Sequence, residues 1–181
     1  MTPSCDLRPA MGWPRLGPML AFIALGSNLG DSAGTLQAAL DRLQSLSDAP
    51  LLKSSLWRST PVDCPPGSPT FINAVAGLVP QPQETPESLL AALQQLEKGF
   101  GRQPRKILNE PRPLDLDLIA FGVETRQSPA LTIPHPRAHL RRFVLQPLAE
   151  IAPALILPGQ TQSVAQLLAQ LPAAERVERI G

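Results

Sequence analysis

The chain has 181 residues, 43% of them hydrophobic, 17% charged, and a net charge of +1. That suits one domain with a full apolar core and excludes the large basic excess of a nucleic-acid-binding surface. Two cysteines, Cys5 and Cys64, form neither a disulfide framework nor a zinc site and agree with a reducing cytoplasm; no stretch is long and apolar enough to span a membrane.

Met1 to Pro18 scatters prolines and glycines without the continuous apolar core of a signal peptide, which predicts a flexible tail over 1–18 ahead of a single domain over 19–181. Met11 and Met19 leave the translation start open. Leu20 to Leu25 is an unbroken apolar run, as expected of a central strand covered on both faces. Gly26-Ser27-Asn28-Leu29-Gly30-Asp31 then reads as a strand-to-helix turn, since neither a P-loop nor a dinucleotide fingerprint is present. The helix after it runs to about Leu46, with Leu36, Leu40 and Leu43 on one stripe and Ala39 beside it.

Leu51 to Trp57 reads as a second strand, and the proline-rich stretch from Arg58 to Pro69 as a loop. Thr70 to Val79 alternates as a third strand, with Phe71, Asn73 and Val75 on one face and Ile72, Ala74 and Ala76 on the other. Asn73 is out of place by propensity, so it is an edge residue or a deliberate hydrogen-bonding group suited to a flat heterocycle. Thr85-Pro86-Glu87 starts a second helix by its capping hydroxyl, first-turn proline and early carboxylate. Leu89, Leu93, Leu96 and Phe100 form its stripe, and Gly99 and Gly101 end it. Glu97 sits near the negative end of that helix, a poor place for a carboxylate without a cation, and a salt bridge is the expectation.

The loop Arg102 to Pro113 concentrates Arg102, Arg105, Lys106 and Arg112 just ahead of Leu114-Asp115-Leu116-Asp117-Leu118-Ile119-Ala120-Phe121. Strict alternation makes that segment a strand with its leucines on one face and Asp115, Asp117, Ile119 and Phe121 on the other. Alternate residues of a strand lie roughly 6.6 Å apart, so the two carboxylates can converge on one cation or a close cation pair. Cations beside paired carboxylates suit a metal–polyphosphate complex; a mixed-charge surface in which arginine neutralises aspartate is the other reading. Leu131 to Arg137 is a rigid segment. His135 and His139 are the only histidines, and no carboxylate joins them in a metal-ligand spacing. Val144 to Ile156 reads as packing, and Ser163 to Leu171 as a short closing helix. The order strand–helix–strand–strand–helix–strand predicts an α+β fold, a ferredoxin-like βαββαβ core with an antiparallel sheet and helices packed on it.

Five segments together, Ala24-Leu25-Gly26-Ser27-Asn28-Leu29-Gly30, Phe71-Ile72-Asn73-Ala74, Gly101-Arg102, Pro111-Arg112-Pro113-Leu114-Asp115-Leu116-Asp117 and Ile133-Pro134-His135, resemble the 6-hydroxymethyl-7,8-dihydropterin pyrophosphokinases of folate biosynthesis. The resemblance runs from about Leu20 to beyond Pro153. It implies transfer of diphosphate from ATP to the pterin hydroxymethyl group with release of AMP. By the same resemblance Asp115 and Asp117 hold two Mg²⁺, and Arg102 and Arg112 stabilise the transferring phosphates. Glu97, Arg112, Thr132, His135 and Arg141 contact ATP. The pterin lies between Phe71 and Phe143, with Asn73 on its polar edge and Ser59, Thr60 and Val62 lining the pocket. The implied partners are these small molecules alone, with no nucleic acid and no membrane, for a cytoplasmic monomer. The sequence departs from the family at Pro104, where a second arginine is common, at Leu108-Asn109-Glu110, where many members carry Arg-Trp, and at Pro136 in place of a tyrosine.

Two rivals fit the fold class. A single-stranded RNA binder stacks bases on sheet aromatics and needs a basic face, whereas aromatics are 4% here with no tyrosine. A regulatory small-molecule module has no use for an aspartate pair beside four cations.

Overall fold

The apolar run after residue 20 becomes the strand at the centre of the sheet in the computed structural model, which describes residues 19–103, 110–172 and 175–180. The tail 1–18, the loop cations Arg105 and Lys106, and the departures at Pro104, Leu108 and Asn109 lie outside the described residues. In chain order the first half comprises β1 (Ala21–Ser27), α1 (Ser32–Gln44), β2 (Leu52–Lys53), β3 (Leu56–Ser59), β4 (Phe71–Leu78) and α2 (Pro86–Gly99). The second half comprises β5 (Asp115–Phe121), β6 (Arg126–Gln127), β7 (Thr132–Ile133), α3 (Arg142–Ile151), α4 (Val164–Gln170) and β8 (Val177–Ile180). The main sheet runs β5-β1-β4-β3-β8 with β2 also on β4, every pairing antiparallel. β6 and β7 form a separate ribbon. Strands β1, β3, β4 and β5 with helices α1 and α2 are the expected ferredoxin-like arrangement, with β8 added at the edge.

The side-chain alternation of the strands separates two cores. Leu36, Leu40 and Leu43 of α1 and Leu89 and Leu93 of α2 pack with Ile23, Leu25, Leu116 and Leu118 on one face of the sheet. Val144, Leu145 and Leu148 of α3 and Val164 of α4 pack with Phe22, Val75 and Ile119 on the other. Thr85 caps α2 as expected: its hydroxyl accepts from the Ser88 N–H at 3.1 Å, and the Ser88 hydroxyl accepts from the Thr85 N–H at 2.9 Å. Among the described residues no helix is long and apolar enough to cross a membrane.

Three local readings are corrected. The second strand is not continuous: Ser54 and Ser55 interrupt it between β2 and β3, and the ladder is bridged by Ser54, whose N–H donates to the Val75 carbonyl at 3.0 Å and whose hydroxyl accepts from the Val75 N–H at 2.9 Å. Arg58 and Ser59 belong to β3 rather than to the loop, because β4 and β8 pair with them on either side. The alternation of β5 breaks at a bulge. Ile23 faces Leu118 but Phe22 faces Ala120, so Ile119 is the extra residue; Phe121 therefore joins Leu116 and Leu118 under the helices instead of sharing the aspartate face. The Ile119 carbonyl accepts from the His135 N–H at 2.8 Å.

Phe121 is 1% exposed in the core beneath α1 and α2. Phe121→Ala is expected to cost about 3–5 kcal/mol of stability in urea unfolding, the range for truncating a fully buried aromatic. A loss under about 1 kcal/mol would contradict the bulged register.

Candidate active site

Helix α3 begins only at Arg142 and covers part of its sheet face, near Phe22, Val75 and Ile119. The rest of that face stays open as a cleft continuous with solvent. β1 supplies the floor at Ala24 and Gly26. A Cβ at Gly26 would stand 3.6 Å from the Asn73 side-chain oxygen and 3.8 Å from the Phe71 ring, so glycine keeps the floor low where these side chains converge.

One wall comes from β4 and the loop before it: Phe71, Asn73, Thr60, Val62 and Cys64, with Ser59 at the end of β3. Asn73 is 4% exposed, and its amide donates to the Ser59 hydroxyl at 2.9 Å and to the Trp57 carbonyl at 3.3 Å. Those two bonds leave its oxygen facing the cleft floor. Phe143, in the first turn of α3, also lines the cleft, and the Arg141 guanidinium carbon lies 5.4 Å from the centre of its ring, within cation–π range. Phe71, Asn73 and Phe143 thus come together as expected.

The charged end is β5. Asp115 and Asp117 both line the cleft with Arg112 and Arg141. Asp115 is already neutralised: one oxygen accepts from Arg102 at 2.7 Å, and the other lies 3.2 Å from an Arg112 nitrogen. Asp117 makes no ion pair among the described residues. Burial first and Asp115 second push its carboxyl up to about 6, against the pull of Arg141 and Arg112. The arginine-neutralised reading therefore holds for Asp115 and not for Asp117.

Glu97 lies behind this cluster, not in the cleft lining. Its buried carboxylate accepts from the Leu116 N–H at 2.7 Å and from Arg102, the salt bridge anticipated from its place near the C-terminus of α2. Gly101, at φ 86°, reverses the chain there, so that the Arg102 N–H also reaches the Glu97 carbonyl at 3.0 Å. Burial holds the Glu97 carboxyl above its ordinary range, opposed by the Leu116 N–H and Arg102. His135 is half-buried outside the cleft lining; burial and the neighbouring Arg141 and Arg137 push it down to about 4, so it is neutral near pH 7. Thr132 is exposed on β7 and does not line the cleft.

Sequence reasoning missed Asn28. It is 4% exposed and bonded to the backbone of Arg112; its signals were a polar amide just after the apolar run Leu20 to Leu25 and its place in the Gly26-Ser27-Asn28-Leu29-Gly30 segment of the resemblance.

A family model described as 7,8-dihydro-6-hydroxymethylpterin-pyrophosphokinase (HPPK) matches residues 22–153. A 2-amino-4-hydroxy-6-hydroxymethyldihydropteridine pyrophosphokinase of Haemophilus influenzae is 41% identical over 151 residues, 83% of this chain and 91% of the relative. The enzyme of the same description from Pseudomonas aeruginosa is 41% identical over 160 residues, 88% of this chain and 95% of that one. A crystal structure of Plasmodium falciparum HPPK-DHPS with pteroate superposes with a TM-score of 0.65 at 12% identity, covering 84% of this chain and 43% of that chain. The chain spans under half the length of that structure, and the likeness there is one of fold. The matched segment carries both aspartates, Arg102, Arg112 and both phenylalanines of the cleft, and the chain belongs to the 7,8-dihydro-6-hydroxymethylpterin-pyrophosphokinase family.

Proposed function

We propose that this chain transfers diphosphate from ATP to the hydroxymethyl group of 6-hydroxymethyl-7,8-dihydropterin in folate biosynthesis, as a cytoplasmic monomer whose single domain spans 19–181. The observation that carries the reading is the shared cleft, which an aspartate pair, two arginines, two phenylalanines and a buried asparagine all line. The pterin lies between Phe71 and Phe143; Asn73 pairs with its polar edge, and Ser59, Thr60 and Val62 bound its pocket. Arg141, His135 and Thr132 attend the nucleotide, with Glu97 acting at one remove by anchoring Arg102.

The donor set fits Mg²⁺. Asp115 and Asp117 present carboxylate oxygens to one cleft, the ligand type that Mg²⁺ takes. Two Mg²⁺ held by this pair would offset phosphate charge and polarise the phosphorus under attack. Arg102 and Arg112, which rest on Asp115, would turn to phosphate oxygens, with Arg102 still anchored by Glu97. The pterin hydroxyl oxygen bonds to the middle phosphorus as the bridging oxygen departs on AMP and the hydroxyl proton passes to solvent, while the guanidinium groups hold the charge spread over the transferred group. Stacking and the Asn73 amide fix the hydroxymethyl arm for that attack, which is how positioning lowers the barrier.

The direct test is incubation with ATP, Mg²⁺ and the reduced pterin alcohol, followed by identification of the nucleotide. AMP in stoichiometric yield is expected, with ADP at most a trace. Stoichiometric ADP would sink the diphosphate assignment.

Phe143→Ala is expected to weaken pterin binding by about tenfold or more, since a stacked ring contributes burial plus about 0.5–1.5 kcal/mol of geometric preference. Nucleotide affinity should move far less. Equal losses for both ligands in calorimetric titrations would make Phe143 a packing residue only.

Asp117→Asn is expected to stabilise the metal-free protein at pH 7 while slowing single turnover by several orders of magnitude. The sign follows from the raised carboxyl. The folded state binds its proton up to about pH 6 and the unfolded chain only to about 4, so Asp117 costs the fold nothing below pH 4 and progressively more as pH rises through 6. The stabilisation of the variant over the parent should therefore be on the order of 2 kcal/mol at pH 7 and vanish near pH 4. Comparing variant with parent cancels His135, whose depressed value acts in the opposite sense. A variant destabilised at pH 7 yet fully active refutes the assignment.

A further inference from the structure

We propose that Asn28 is a positioning residue for Arg112, holding its backbone at two points and so setting where its guanidinium meets the transferring phosphates; this rests on the reading of Arg112 given above. The Asn28 side-chain oxygen accepts from the Arg112 N–H at 2.9 Å, and the Asn28 N–H donates to the Arg112 carbonyl at 3.3 Å. Its amide nitrogen reaches the Pro69 carbonyl at a longer 3.4 Å. The residue is 4% exposed, so losing any of these partners leaves a polar group buried without compensation.

The local sequence explains why a side chain is needed for this. Arg112 stands between Pro111 and Pro113, neither of which has a backbone N–H. The Arg112 N–H is therefore the one backbone donor in the three-residue segment, and ladder pairing starts only at Asp115. An amide is the group that accepts from that donor and still donates elsewhere. Serine or glycine would serve the turn after β1 equally well and could do neither from this distance. Beyond the backbone, the Arg112 guanidinium lies 3.2 Å from Asp115 and lines the cleft. The contact to Pro69, two residues before Phe71, ties the same amide to the chain segment that carries the pterin wall.

A structural role alone would lower the melting temperature and leave turnover per folded molecule unchanged. A positioning role acts through Arg112, and a double-mutant cycle separates the two. Asn28→Ala is expected to lower kcat by about tenfold or more, because displacement of a phosphate-binding group by about 1 Å costs up to about a hundredfold. KM for ATP and for the pterin should move less than about threefold. On an Arg112→Ala background the same change should cost less than about twofold. Equal loss factors in the two backgrounds, or an unchanged kcat with only a lower melting temperature, overturn the inference. An Arg112→Ala enzyme as fast as the parent overturns the phosphate reading of Arg112 and this inference with it, whereas a slow Arg112→Ala enzyme with additive losses overturns this inference alone. Where Asn28→Ala fails to fold, the cycle is run with Asn28→Asp, which keeps an acceptor for the Arg112 N–H and loses the donor to Pro69. Turnover within about threefold of the parent is then expected, and a larger loss that repeats on the Arg112→Ala background counts against the proposal.

Discussion

Two carboxylates on alternate residues of one strand, half-buried in a cleft, cannot both stay ionised without cations at hand. The surroundings of β5 follow from that constraint. Asp115 is met by Arg102 and Arg112 within 3.2 Å, and Asp117, left without an ion pair among the described residues, has its proton affinity raised. The asymmetry is chemical as well as geometric. One carboxylate is paired on both oxygens by guanidinium groups, and the other lies in the cleft without an ion pair among the described residues.

Keeping Arg102 in place draws the helix layer into the site. β5 is an end strand of the sheet, and an end strand presents unpaired backbone donors. Glu97 satisfies one of them, the Leu116 N–H, while also accepting from Arg102. A buried carboxylate near the negative end of a helix is unfavourable by itself. Here the two bonds offset that cost, and the side chain links α2, the turn at Gly101 and the aspartate strand. The same residue thus covers a sheet edge and aims a cation at the cleft, so the charge of Glu97 belongs to the packing of α2 as much as to the site.

The sequence was most readable where one physical rule acted alone. Period-two alternation located the aspartate face and the Phe71–Asn73 face, and the poor electrostatic position of Glu97 pointed to a cation before its partner was known. It was least readable where tertiary pairing overrode local pattern. Nothing in Leu118-Ile119-Ala120-Phe121 marks a bulge; the extra residue is accommodated because the Ile119 carbonyl finds the His135 N–H. Pro147 in mid-helix hid α3, and Ser54 hid the break between β2 and β3 by completing the ladder with its hydroxyl. β8 has its Glu178 and Arg179 exposed and is defined by the neighbour it pairs with. Asn28 was invisible for a further reason: an asparagine in a turn is ordinary, and its importance lies in Arg112, 84 positions away.

Charge balance connects these features to the kind of ligand such a cleft favours. Glu97, Asp115 and Asp117 stand against Arg102, Arg112 and Arg141, and the six charges cancel when all are ionised. A polyphosphate entering alone would meet the aspartates, and a divalent ion entering alone would meet the arginines. Either would leave uncompensated charge in a half-buried site, where desolvation makes such charge costly. A metal–polyphosphate complex would avoid both penalties, since it offers a cation to the carboxylates and anionic oxygens to the guanidinium groups. A cleft with this balance favours a ligand that brings both signs of charge together over one that brings either alone.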